Sequence, residues 1–171
     1  MLWTITHGDI LDLPADVLVC SANVFLNLSG GVGGAILLRI GTAMQQELHR
    51  YLANTQKKYV ERGEVVETAP HGLPFKTVLH AVAVDGFYRT SPEVVRAVVD
   101  KCLARAAALG AKTVSLTALA TGYGRLSMAG FAQAIEPLQK VEYPPLEQIR
   151  IRVRNSGDEA DLRAAMAEHS A

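Results

Sequence analysis

VLVCSANVFLNLSGGVGGAILLRI, residues 17–40, decides how the rest of the chain is read. Val17-Leu18-Val19-Cys20 is an apolar run, rich in β-branched residues and short enough for a buried strand. Asn23 follows at the point where such a strand releases the chain into a loop. Gly30-Gly31-Val32-Gly33-Gly34 comes next, and Ala35–Ile40 reads as the first turns of a helix. Four glycines in five positions let backbone amides turn towards a ligand with no Cβ in the way. The helix start adds unpaired N–H groups and the positive end of its dipole. Strand, polar residue, glycine loop and helix start together make an anion site, and phosphate is the anion it suits. A tight turn serving only a close strand–helix approach is the alternative reading of the same glycines.

Upstream, Leu2–Thr6 reads as a short strand ending in the turn His7-Gly8-Asp9-Ile10, which presents a carboxylate. Downstream, Gly41-Thr42 breaks the chain, and Met44–Asn54 resumes a helix with Met44, Leu48, Tyr51 and Leu52 on one face. Strands are expected at Glu64–Thr68, Lys76–Val84, Lys112–Ala118 and Gln148–Val153. Ser91-Pro92-Glu93 carries a capping hydroxyl, a proline at the first helical position and a first-turn acid. The helix it starts has Val95, Val98, Val99, Cys102, Leu103 and Ala106 as its core stripe and stops at Gly110. Ser127 caps a helix Met128–Leu138, and Asp158–Glu168 is the last helix. This alternation predicts an α/β fold, a three-layer α/β/α sandwich around a mixed sheet. Ligands in such sheets gather beyond the carboxyl ends of the strands. Asp9, Asn23 with Gly30–Gly34, and Thr121–Arg125 all follow strands, so one cleft is expected to collect them.

The 171 residues suit one domain, residues 1–171, whose core needs no staples. No apolar run reaches the roughly 18–20 residues of a membrane span, and the amino terminus lacks signal-peptide features. Lys plus Arg equals Asp plus Glu, so charge gives no indication of nucleic acid or an acidic membrane. Cys20 and Cys102 read as buried thiols, which fits a cytoplasmic protein. The five histidines are scattered, with no HExxH or CxxC, and no metal site or cofactor is expected. His80, in mid-strand, reads as a satisfied core residue rather than a base.

Read in order, Gly8-Asp9-Ile10, Cys20-Ser21-Ala22-Asn23, Gly30–Ile36, Gly63–Val66, Val78–Val82 and Ala120–Gly124 resemble a macrodomain, the ADP-ribose-binding module. The resemblance covers roughly residues 2–140. It implies that the ligand is ADP-ribose, free or attached to a macromolecule. Asp9 would accept from the adenine amino group, with the Ile10 amide beside it. Ala22 belongs to the strand-end motif, and Asn23 would bind the distal ribose. Gly30, Gly31, Val32 and Gly33 would wrap one side of the diphosphate. Ala120, Thr121, Gly122, Tyr123 and Gly124 would wrap the other, with Arg125 as a nearby charge or a solvated side chain.

The pattern is incomplete for a hydrolase that releases ADP-ribose or deacetylates O-acetyl-ADP-ribose. Cys20 stands where catalytic members often have asparagine, and Gly33 where they often have an acid. Asn23 is then the remaining candidate catalytic residue, with substrate groups helping to activate water. Arg154-Asn155 replaces an aromatic over the adenine, and Arg154 could lie flat on the base. Arg150, Arg152 and Arg154 share a face of the last strand, as a solvated face, a guard against edge pairing, or a surface for an acidic partner. A dinucleotide oxidoreductase is disfavoured, since neither glycine cluster reads GxGxxG.

Overall fold

The computed structural model describes residues 1–169. Strands β1 (Leu2–His7), β2 (Val17–Ser21), β3 (Val65–Thr68), β4 (Thr77–Ala81), β5 (Thr113–Thr117) and β6 (Gln148–Val153) form one sheet, ordered β1-β6-β5-β2-β4-β3. All neighbours are parallel except β3, which pairs antiparallel with β4. Parallel neighbours require crossovers, which the helices supply. These are α1 (Gly31–Ile40), α2 (Ala43–Asn54), α3 (Pro92–Ala108), α4 (Met128–Ile135) and α5 (Ser156–His169).

The central strand β2 is buried on both faces. Leu18 and Cys20 point into a core shared with Ile36 of α1 and with Met44 and Leu48 of α2. Val17 and Val19 point the other way, into a core with Val95 and Val99 of α3, Phe131 of α4 and Leu162 of α5. The expected three-layer α/β/α sandwich is therefore the observed fold. A strand buried on both faces shows an unbroken apolar run instead of alternation, as Val17–Cys20 does.

Several boundaries differ from the sequence reading, each for a physical reason. Helix α1 begins at Gly31 instead of Ala35, so three of the expected loop glycines form its first turns. Helix α4 ends at Ile135 rather than Leu138, because Pro137 lacks the N–H an α-helix needs there, and a 3-10 turn Glu136–Lys140 follows. Strand β2 stops at Ser21, short of Asn23: the Ala22 amide makes the last bond to β4, through the Ala81 carbonyl. Beyond it Asn23 turns the chain with its own side chain. Strand β6 lies between β1 and β5, so its arginines do not guard an edge. Ser91 and Ser127 cap α3 and α4 as their positions suggested.

Candidate functional site

The carboxyl ends of β1, β2, β4, β5 and β6 open onto one cleft of about 490 Å³. Every residue of the set the family resemblance implied lines it except Arg125 and Asn155. Asn155 is spent on the start of α5, where its Oδ1 accepts from the Asp158 amide at 2.9 Å. Arg125 closes the second loop through its own amide, bonded to the Gly122 carbonyl at 3.0 Å, and its side chain is exposed.

One wall is the amino-terminal turn of α1. Gly30 is the N-cap, with φ 56° and ψ 171°, a conformation that favours glycine. The first helical bond runs from the Gly34 amide to the Gly30 carbonyl at 2.8 Å. The amides of Gly31, Val32 and Gly33 precede it and have no acceptor within the helix. They add the positive end of a ten-residue dipole to the cleft wall.

The opposite wall is the loop after β5. Ala120 has φ 64° and Arg125 φ 53°, and the Leu126 amide returns to the Ala120 carbonyl at 3.0 Å. Gly124 is required by packing: a Cβ there would lie 2.6 Å from the Ala120 carbonyl oxygen and 2.9 Å from Val84 Cγ1. The two walls meet at Tyr123, whose hydroxyl would lie 2.5 Å from a Cβ on Gly30. Its ring is two-thirds exposed and sits 5.5 Å from that of Tyr88. Tyr123 thus roofs the meeting of the loops. Leu26, Tyr88 and Ala120, all on the cleft, adopt positive φ without being glycine. Such strain concentrates where a loop shape is functional.

Asn23 organises the loop at this end of the cleft. Its Oδ1 accepts from the amides of Phe25 (3.1 Å) and Asn27 (3.2 Å), and its Nδ2 donates to the Asn27 carbonyl at 2.8 Å. One Nδ2 hydrogen remains for a ligand. At the β1 end, Asp9 Oδ1 accepts from the Leu11 amide at 2.9 Å and Oδ2 from Arg39 Nη2 at 2.8 Å. Arg39 also donates to Asp12 Oδ1 at 2.7 Å, so it bridges two carboxylates and fixes the Asp9 rotamer. Each carboxylate oxygen has a second lone pair, so Asp9 keeps acceptor capacity.

The floor is neutral. His80 is fully buried between Cys20 (Sγ to Nδ1, 3.6 Å) and Thr68 (Oγ1 to Nε2, 2.9 Å). Burial pushes its imidazole down to about 4 and the Cys20 thiol up to about 12. Neither charges near neutral pH, so the pair supplies no thiolate or imidazolium, and His80 is the satisfied core residue its position suggested. The only carboxylates among the described cleft-lining residues are Asp9 and Asp158, which belong to the β1 and β6 ends. The half built by β2, α1 and the β5 loop contains none.

Sequence reasoning missed Arg39, Tyr88, Arg152 and Asp158. Tyr88 had a readable signal in Asp85-Gly86, a turn whose carboxylate accepts from the Phe87 and Arg89 amides at 2.9 Å. Arg39 had none, because its partners come from a turn 27 and 30 residues earlier.

A family model described as Macro domain matches residues 19–135. The chain is 28% identical over 161 residues to an uncharacterised protein of Mycobacterium tuberculosis, a match covering 94% of this chain and 43% of that protein. It therefore spans less than half the length of that relative. It is also 32% identical over 139 residues to the O-acetyl-ADP-ribose deacetylase of Enterobacter cloacae, covering 80% of this chain and 76% of that enzyme. A solved Oceanobacillus iheyensis macrodomain variant with ADPR superposes with a TM-score of 0.85 at 19% identity, covering 97% of this chain and 92% of that one. From the matched segment and these relatives, the chain belongs to the Macro domain family.

Proposed function

We propose that this chain binds ADP-ribose, free or as part of a larger derivative, in the cleft between the two glycine loops. The observation that carries the reading is the meeting of the loops at Tyr123 and Gly30, which sets two rows of backbone amides across one crevice. A diphosphate needs several convergent donors, and neutral amides supply them without a charged side chain that would have to be desolvated. The cleft volume lies in the range of small-molecule sites. In this placement the adenine amino group donates to Asp9 beside the Ile10 amide, and Arg154 covers the base. The distal ribose meets Asn23. The Oceanobacillus iheyensis macrodomain variant solved with ADPR supports ADP-ribose as the class of ligand.

Calorimetry tests it with ADP-ribose against adenosine. ADP-ribose should bind at one site, and adenosine at least roughly 100-fold more weakly, since it offers the loops no phosphate. Equal affinities would remove the diphosphate from the account.

The Enterobacter cloacae relative favours a second reading, ester hydrolysis of O-acetyl-ADP-ribose or removal of ADP-ribose from a modified macromolecule. Water near Asn23 would attack the acetyl carbonyl, releasing acetate and ADP-ribose, with substrate oxygens taking the proton. The absence of a carboxylate from this half of the described cleft removes a general base commonly contributing roughly 10²–10⁴-fold. Binding is therefore the primary reading and slow turnover the secondary one. Release of acetate no faster than in buffer would leave binding alone.

A further inference from the structure

Arg150 and Arg152, the two arginines of β6, belong to neither glycine loop. Arg150 and Arg152 project from the face opposite Ile149, Ile151 and Val153, the residues that pack into the core with α5. In register, Thr4 of β1 and Ser115 of β5 flank Arg150, while Thr6 and Thr117 flank Arg152. The Nε atoms of both arginines are buried and have no hydrogen-bond partner. Neither side chain forms an ion pair among the described residues, in a chain where most other arginines meet a carboxylate or a carbonyl. The Cα atoms of the pair, two residues apart on one strand and on the same face, stand about 7 Å from one another. Planar forks with unfilled donors at that spacing suit a phosphate group, which accepts several charge-assisted bonds at once.

The position of the pair narrows the ligand. Arg152 lines the cleft beside Gly8 and Asp9. Its guanidinium lies so close to Gly8 that a Cβ there would come within 2.5 Å of Nη2, and Gly8 holds φ 128°. Arg150 continues the stripe along β6, away from the strand's carboxyl end. Arg150 does not itself line the cleft, so an anion bridging the pair is carried at the Asp9 end of the ligand, on the nucleoside, and not by the diphosphate between the glycine loops.

We propose that Arg150 and Arg152 form a second anion subsite that takes a phosphate monoester carried on the adenosine ribose, as in ADP-ribose 2′-phosphate. The proposal rests on the ADP-ribose reading and extends it to a more highly phosphorylated ligand.

Calorimetry on the whole chain at low ionic strength compares ADP-ribose with ADP-ribose 2′-phosphate. The 2′-phosphate should bind roughly tenfold more tightly or better, as expected for charge-assisted bonds to a dianion, and the advantage should shrink with added salt. In Arg150→Gln the ratio between the two ligands should fall towards one, and Arg150→Lys should recover part of it. The wild-type comparison alone can fail, so the proposal does not depend on any variant folding. Equal wild-type affinities overturn it while leaving ADP-ribose binding in place. So does an advantage that Arg150→Gln leaves intact. A gain for two ADP-ribose units joined through the adenosine ribose, with none for the monoester, overturns the stated occupant and assigns the stripe to a polymer. Binding of neither ligand removes the ADP-ribose reading and this subsite with it.

Discussion

Gly124→Ala is the sharpest perturbation of the second loop. The added methyl would stand 2.6 Å from the Ala120 carbonyl oxygen, 2.9 Å from Val84 Cγ1 and 3.0 Å from Ala120 Cβ. Two of these neighbours are backbone or Cβ atoms that no rotamer change can move aside. Relief to ordinary contact needs a shift of about 1 Å in the 120–124 turn. Overpacking of this kind costs about 1–3 kcal/mol of stability. A hydrogen bond to a charged acceptor contributes about 1.5–3 kcal/mol, so the equivalent of one lost amide–phosphate bond weakens ADP-ribose roughly 10–100-fold. Gly34→Ala is the matched control. Gly34 sits inside α1 with nothing within 4 Å of a new Cβ, so alanine there should stabilise by about 0.5–1 kcal/mol and leave affinity within about twofold. Calorimetry gives the dissociation constants, and urea unfolding gives the stabilities. Wild-type affinity in a folded Gly124→Ala protein would refute the claim that this turn holds the phosphates.

Three further expectations follow from individual contacts. Asn23→Ala removes two accepted bonds and one donated bond within the 23–27 turn, so the Phe25 and Asn27 amides should exchange hydrogen faster and any acetate release should disappear. Unchanged exchange would show that the turn holds without its organiser. Arg39→Ala frees the Asp9 carboxylate, and the preference for ADP-ribose over its guanine counterpart should fall several-fold in competition binding; an unchanged preference would separate Arg39 from base recognition. His80 sets a pH dependence. Its folded value of about 4 lies below the 6.5 of an exposed imidazole, so between these values the unfolded chain takes up a proton that the folded chain refuses. Stability is complete above pH 6.5 and falls with pH through that window, by about 2 kcal/mol between pH 7 and 4.5. Asp16, held below the usual carboxylate range chiefly by Lys76, loses its contribution only below about 3.8. Urea unfolding at both pH values should show a drop in wild type that is smaller in His80→Gln, and an equal drop in both would contradict the assignment.

The fold was legible because its central elements carry unmistakable local patterns. Val17–Cys20 is apolar throughout since helices cover both faces of β2, and Ser91-Pro92-Glu93 marks the start of α3 residue by residue. The glycine loops were legible for the same reason, since close approach and positive φ leave glycine few substitutes. Boundaries were harder where two instructions compete. Gly31–Gly34 reads as loop by propensity but is helix, stabilised by Ile36 and the rest of α1 packing on the sheet. Residues that act through distant partners left no local signal. Arg39 meets Asp9 and Asp12 only after α1 docks beside the turn that follows β1, and Arg152 meets Gly8 only because β6 inserts between β1 and β5. Asn155 shows the converse error: a polar residue in a suggestive place is consumed by the helix start beside it.

The most direct measurement follows backbone amide resonances during titration with ADP-ribose. The amides of Gly31, Val32 and Gly33 and those of Gly122, Tyr123 and Gly124 should shift together and saturate along one curve, because a single diphosphate touches both walls. Shifts confined to one of these segments, or found only elsewhere on the molecule, would contradict the account.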